Sequence, residues 1–468
     1  MSPVSLLLLA FLFTFIGICL GIITGLIPGI HVNTISFMII SSLSTIMLFG
    51  SRLLSGFGPT TSELLLLISM LVIGCMITHT FLNFIPATYF GAPEGETALS
   101  VLPAHRMLLE GRGYEAIKAS SLGSFAALFL ALILILPARL IMGNPVDLYN
   151  RIVPLIPLIL ISVVLVLILQ EGRSFLDHRP KLAAGGLFFL SGLLGFIVLT
   201  PTAIHSYNWT PIEQEGVPTS SMMLFPMFTG LFGISNLLVS LMDKPKIPEQ
   251  VIEDVNIRLD NKSQMRGVIN GTLSGGLVGW LPGITAAAAT TVTSLFTPDK
   301  QSQDEKSREF IIAVSAVDTA CAIFTLVALF IILRARSGAM QAVLELNEAN
   351  INEWSSIFEV PGLFLLLLFS VIISGTVAHL LTLSLGKTFA GIHKKIEYDK
   401  ISKGIIILLV ILMLMLSGPL GLFIGIISTS IGLIPPLSGL RRVHLMGCII
   451  FPILLFFLGL DIYLIRLI

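Results

Sequence analysis

Apolar blocks of about 18 to 25 residues recur along this chain, each long enough to cross a hydrocarbon layer of about 30 Å at 1.5 Å per residue. Water is absent from that layer, so a spanning backbone must satisfy its own N–H and C=O groups, and helices follow. The 468-residue composition agrees: 55% of residues are apolar and 12% charged, against about a quarter charged in soluble domains. The expected fold class is an all-α polytopic membrane protein, multi-pass in the plasma membrane.

The first block, 4–27, lacks a basic leader and runs into Pro28 and Gly29 instead of a small-residue cleavage site, so it reads as mature protein and not as a signal peptide. Cys19, Cys75, Cys321 and Cys448 stand singly inside apolar segments, without the paired spacing of a zinc or redox site, and read as small core residues. No metal site or organic cofactor is expected. Formal charge is zero and no basic run interleaves with aromatics, which gives no footing for nucleic acid.

Lysine and arginine sort the loops between two sides. Stretches 105–118 (Arg106, Arg112), 170–181 (Arg173, Arg179), 242–266 and 387–403 read as cytoplasmic, and Arg441 and Arg442 join them. Stretch 201–220 has Glu213 and Glu215 but no Lys or Arg, and 334–355 has three glutamates against two arginines; both read as external. With these anchors the first part of the chain is a hairpin over 4–49 followed by crossings at 62–82, 116–138, 150–170, 182–200 and 219–241. The second part repeats the plan: a hairpin at 266–297, then crossings at 309–333, 357–386, 403–418, 419–436 and 443–463. Residues 1–241 form one unit and 266–468 another, joined by a cytoplasmic linker at 242–265. An odd number of crossings after each hairpin turns the second unit upside down, the inverted-topology repeat of secondary transporters.

Residues support the duplication. Gly21, Gly25, Pro28, Gly29 and Ile30 are matched at one offset by Gly275, Gly279, Pro282, Gly283 and Ile284. In each case the Pro-Gly pair falls mid-block, where proline removes a donor and clashes with the preceding turn, so the helix breaks. After the breaks come polar side chains: His31, Asn33, Thr34 and Ser36 in one hairpin, Thr285, Thr290, Thr291 and Thr293 in the other. A helix restarting there presents free N–H groups and the positive end of its dipole, which suits a carboxylate or a phosphate. The alternative reading is a pair of proline kinks whose glycines serve as close-packing faces.

Three acids are candidate sites for a coupling Na⁺ or H⁺. Glu94 and Glu96 lie in the breaker-rich run from Asn83 to Ser100, read as re-entrant; the alternative is a cytoplasmic loop whose glutamates pair with Arg106 and Arg112. Asp318, three residues past Ser315, lies well inside an apolar span, with a buried structural hydrogen bonder as the alternative. His79 and His379 read as interhelical hydrogen-bonding groups. There is no GxxxxGK[ST] loop, HExxH or GxSxG, so neither an ATPase nor a hydrolase is expected, and the chain reads as a non-enzyme.

The chain resembles the TctA superfamily, the large permease subunit of tripartite tricarboxylate transporters, and its archaeal branch most. The resemblance is carried by Gly21 to Asn33 with Pro28 and Gly29, by Phe84 to Arg112 with Pro86, Gly91, Pro93, Glu94, Thr97 and Ala98, and by Gly275 to Thr290 with Pro282 and Gly283. The stretch Ala313 to Ala320 and Arg336 to Gly338 fit as well, so it spans most of the chain. It implies two inverted repeats, re-entrant Pro-Gly hairpins and substrate held between their tips by Pro28, Gly29, Asn33, Thr34, Pro282, Gly283 and Thr285, with Na⁺ or H⁺ as coupling ion. It also implies a small membrane subunit and an extracytoplasmic binding protein as partners. His31-Val-Asn33 departs from the Gly/Pro-containing run of bacterial permeases. The expected function is a secondary active permease for a small organic anion of the carboxylate class. A polyprenyl-phosphate or other lipid-linked anion translocase is the alternative within transport, and a non-transporting membrane scaffold is the alternative outside it. Monomer and homo-oligomer both stay open.

Overall fold

A computed structural model describes residues 1–27, 32–89, 101–172, 178–199, 219–243, 248–252, 262–281, 302–392, 398–461 and 463. All regular structure among them is helical. Eight helices have the length and apolarity of a crossing, and shorter apolar helices at Leu43–Leu53, Met223–Val239, Ser402–Met415 and Arg442–Phe457 supply further segments at expected positions.

Glycine sets the central packing. α1 (Pro3–Leu26) lies along α4 (Thr61–Leu82), with Gly17 on Leu71, Gly21 on Cys75 and Thr78, and Gly25 on Leu82. α2 (Val32–Ser41) and α3 (Leu43–Leu53) form the return arm between them. Later in the chain α13 (Lys262–Val278) lies along α14 (Gln303–Ile331), with Gly271 on Ala313 and Ala316, Gly275 on Val317 and Ala320, and Gly279 on Phe324. At each of these six glycines a Cβ would come closer than 3.0 Å to the facing helix. The two pairs share a register: a shift of 254 takes Gly21 to Gly275, and a shift of 242 takes Leu71, Cys75, Thr78 and Leu82 to Ala313, Val317, Ala320 and Phe324. The close-packing faces that the alternative reading assigns to these glycines are present in the fold; the Pro-Gly pairs that follow them lie outside the described residues.

α7 (Gly113–Met142) runs alongside α14, where Gly123 stands on Ile312 and Gly143 on Ile331. α16 (Gly362–Ile392) runs alongside α4, where the Ser370 hydroxyl donates to the Met70 carbonyl at 2.9 Å. α4 and α14 cross antiparallel, so α1, α4 and α16 point one way and α13, α14 and α7 the other. The outcome is a pair of central helices whose crossing segments are each 89% buried, against 33% and 39% for α7 and α16, which share their surfaces with lipid.

α5 (Phe84–Tyr89), α6 (Val101–Leu109) and α15 (Gly338–Leu346) complete this first body. The short α8 (Leu148–Ile152) leads out of it to a second body. That body comprises α9 (Ile156–Leu169), α10 (His178–Leu199), α11 (Thr219–Phe228), a π turn at Thr229–Ile234, α12 (Ser235–Asp243), α17 (Tyr398–Gly432), α18 (Ile434–Ser438) and α19 (Gly447–Phe457). α17 reverses at Gly418, whose φ of 66° glycine alone adopts readily, followed by Pro419. Gly421 then faces Ser417 and Gly425 faces Met413, so 398–417 and 419–432 are the two short antiparallel crossings expected from the sequence. Each body has its own hydrophobic core. Among the described residues, extensive helix packing between the bodies occurs only where α7 runs into α8. The bodies cut across the sequence halves, since each takes helices from both.

The basic loops assemble at one end. Arg112 binds Glu115 and Asp304, both at 2.8 Å, Arg308 binds Glu115, and Arg266 binds Glu309. Val251 N–H donates to the Gly111 carbonyl at 2.8 Å. Arg106 and Arg112 pair with Glu110 and Asp304. In the second body Glu171, 5% exposed, accepts from Arg441 Nε and meets His444 Nε2, each at 2.8 Å. The stretch 334–355, read as an external loop, contains α15; Ser337 caps it, and Met340, Val343 and Leu344 supply the helical spacing.

Burial raises the Glu171 carboxyl pKa, but the hydrogen bonds from His444 and Arg441 outweigh it and hold the group below the ordinary carboxylate range. A depressed folded-state pKa contributes stability above the unfolded pKa that is lost as pH falls through the folded one. Glu171→Gln is expected to lower stability at pH 7 by about 2 kcal/mol, the scale of hydrogen bonds to a charged group. Thermal melts across pH should show the gap from wild type closing below the ordinary carboxylate pKa.

Candidate functional site

α4 stops at Asn83 because Pro86 has no N–H to offer the Leu82 carbonyl and its ring crowds the preceding turn. The chain turns once at Asn83 and restarts as α5. α1 arrives beside this break: a Cβ on Gly25 would meet Leu82 at 2.7 Å and the Asn83 nitrogen at 3.3 Å. Two residues beyond Leu26 the chain reaches Pro28.

α14 faces the break from across the crossing. Asn83 Nδ2 donates to Asp318 Oδ2 at 3.2 Å, and the hydroxyls of Thr80 and Thr319 lie 3.5 Å apart. Asp318 stands near the middle of the 29-residue α14. Asp318 is 2% exposed and Asn83 1%, deep inside the first body. Neighbouring polar contacts extend this centre: His79 Nδ1 meets Thr24 Oγ1 at 3.1 Å, and Ser315 donates to Ser120 at 2.8 Å. Asn83 Oδ1 and Thr78 Oγ1 are buried without a hydrogen-bond partner among the described residues. An acceptor left so costs about 1–3 kcal/mol, which marks this as a place where stability is given up. Among the described residues no cluster of His, Cys, Asp and Glu could hold a metal ion.

Of the residues singled out in the sequence, Asp318 is in this centre. Asn33 Oδ1 accepts from Ala339 N–H at 3.1 Å, in the first turn of α15. α15 then runs beside α4 until Asn347 Nδ2 donates to Ser69 Oγ at 2.6 Å. Asn33 thus ties the first hairpin to an element from the second half. Thr34 lies in α2, with its side chain outside what is described. Pro28, Gly29, His31, Glu94, Glu96, Pro282, Gly283 and Thr285 lie outside the described residues. His379 Nδ1 meets Ser121 Oγ at 2.8 Å, joining α16 to α7.

Sequence reasoning named Asp318 but missed its partner Asn83 and the threonine pair. The available signal was the polar run Thr78, His79, Thr80 and Asn83 inside an apolar crossing, just before a proline. At the end where the basic stretches assemble, burial lowers the His105 pKa, and the charge of Arg442 in the second body adds to the effect. Asn33→Ala removes an acceptor of the kind that caps helices, worth about 1 kcal/mol. Amide exchange in the first turn of α15 should quicken about fivefold, with α4 unchanged; unchanged exchange at Ala339 would show the bond to be dispensable.

Comparison with known proteins places the sequence. The family model described as "Tripartite tricarboxylate transporter TctA family" matches residues 11–447. An uncharacterised protein of Methanocaldococcus jannaschii is 30% identical over 459 residues, 96% of this chain and 100% of that protein. An uncharacterised 52.8 kDa protein of Agrobacterium vitis is 25% identical over 277 residues, 58% of this chain and 49% of its own length. No solved structure matches the chain. The family match covers most of the sequence, and the chain belongs to the TctA family of tripartite tricarboxylate transporters.

Proposed function

We propose that this chain is a secondary active permease that moves a small organic anion of the carboxylate class, by displacement of the first body against the second. The observation that carries the reading is the division of labour between the bodies. Among the described residues, the broken helix that reaches the polar centre, α4 with α5, belongs to the first body, and extensive helix packing between the bodies occurs only at the α7 and α8 link. A body with its own core and few neighbours can shift as a unit without unpacking.

The shared register of α1 on α4 and α13 on α14, with the two pairs running in opposite directions, supports reading the first body as two inverted repeats meeting at the α4/α14 crossing. Secondary transporters place substrate at such a meeting, near the midplane, beside interrupted helices. The substrate-binding residues in this reading are Pro28, Gly29, His31, Asn33 and Thr34 of the first hairpin and Pro282, Gly283 and Thr285 of the second. A helix that restarts after a Pro-Gly pair would direct N–H groups and the positive end of its dipole at an anion. Na⁺ or H⁺ supplies the driving gradient. A small membrane subunit and an extracytoplasmic binding protein are the partners the family membership supports.

The test is uptake of labelled di- and tricarboxylates into proteoliposomes holding the purified chain under an inward Na⁺ or H⁺ gradient, with and without a candidate binding protein. Thr285→Ala should reduce uptake about tenfold, roughly the effect of losing one hydrogen bond at 1.4 kcal/mol, while leaving the melting temperature intact. Uptake of none of these anions, together with stabilisation by polyprenyl phosphate alone, would move the assignment to a lipid-linked substrate.

A further inference from the structure

The pairing of Asn83 with Asp318 has chemistry that packing does not account for. The Asn83 amide donates through Nδ2 to Asp318, yet its carbonyl oxygen, on a side chain 1% exposed, has no hydrogen-bond partner among the described residues. A purely structural asparagine in an apolar interior uses both ends of its amide, because an unsatisfied acceptor costs free energy. The crossing carries four side-chain oxygen groups on neighbouring turns: the Asp318 carboxylate, bound by the Asn83 amide nitrogen, the Asn83 carbonyl, and the paired hydroxyls of Thr80, one turn before Asn83, and Thr319, next to Asp318. The Leu82 carbonyl adds a fifth, since Pro86 has no N–H to pair with it in the α-helical pattern.

We propose that this crossing is a binding site for a monovalent hard cation of the Na⁺ type, held by Asp318, Asn83 Oδ1, the Thr80 and Thr319 hydroxyls and the backbone of the α4 break. All of these donors are oxygens, the ligands that hard cations take. The described donors include a single carboxylate, which balances one positive charge in the low-dielectric interior, and a divalent ion would leave a net charge there. Interrupted helices whose freed carbonyls meet a carboxylate are how membrane transporters hold Na⁺. The site is also asymmetric. In the shared register of the two helix pairs, Met76 on α4 occupies the place corresponding to Asp318 on α14, and Thr325 the place corresponding to Asn83. One ionisable position is therefore provided where the duplicated frame offers two.

Its role as the coupling site rests on the transport reading, whereas cation binding itself is measurable without any organic anion. The experiment is thermal unfolding of the purified full chain titrated with NaCl against KCl and choline chloride, at constant ionic strength and fixed pH, with no carboxylate present. The expected result is a saturable rise in melting temperature with Na⁺ that choline does not give. Asp318→Asn should abolish the rise or weaken the apparent Na⁺ affinity at least tenfold. Thr319→Val, close in volume but lacking the hydroxyl, should weaken it severalfold, and it decides the matter if Asp318→Asn does not fold. The proposal is overturned if Na⁺ and choline act alike on wild type, if the Na⁺ effect survives both substitutions, or if stability follows pH and ignores Na⁺, which would make the centre a proton site. A Na⁺ shift without any carboxylate uptake would refute the transport reading and leave the site standing. Carboxylate uptake without the shift would do the reverse.

Discussion

Backbone-to-backbone contact between glycine-faced helices organises this molecule. In lipid there is no hydrophobic gain from bringing two apolar helices together, so association relies on close van der Waals approach. Gly17, Gly21 and Gly25 give α1 that approach to α4, and Gly271, Gly275 and Gly279 give it to α13 on α14. With their partners so close, α4 and α14 are withdrawn from lipid almost entirely. A helix buried by protein on every side can carry an interruption and polar side chains at membrane depth, because neighbours and not hydrocarbon surround the freed groups. The break at Asn83, the carboxylate of Asp318 and the threonines between them exist inside these apolar helices on that condition.

The segmentation of the chain was legible because it rests on length and apolarity, and both are properties of a sequence. Even the tight reversal at Gly418 and Pro419 was visible as two short blocks meeting at a breaker. The charged loops told which stretches share an end, and Arg112 with Asp304 and Glu171 with Arg441 later joined those stretches through specific pairs. α15 escaped notice because nine residues with mixed polarity between an arginine-bearing turn and a glutamate-bearing one look like a loop, and its helicity depends on Ser337, on Asn33 from far away in sequence, and on packing against α4.

The site was legible in part. An aspartate inside an apolar span announces itself, so Asp318 could be named, but asparagine and threonine are common and uncharged, and only the crossing of α4 with α14 brings Asn83 to it. Asn33 shows another limit: its bond to the Ala339 N–H joins residues 306 positions apart, and no local pattern announces that contact. The division into two bodies was not legible at all. Each body interleaves helices from both halves, and nothing local in a helix records which neighbours it will lack. That division now gives the proposed mechanism its moving part, with the polar centre in one body and the tight α17 hairpin in the other.

The central claim is that the first body moves as a unit against the second, and inter-spin distances measured by pulsed electron paramagnetic resonance in lipid nanodiscs test it most directly. One label pair spans the bodies, on Glu110 and Met242, and a control pair stays within the first body, on Phe57 and Glu110; Phe57 and Met242 are well exposed and Glu110 is exposed. The account predicts two populations for the spanning pair, whose proportions change with carboxylate and Na⁺, and one unchanging distance for the control pair. A single fixed distance for both pairs under every condition would contradict it.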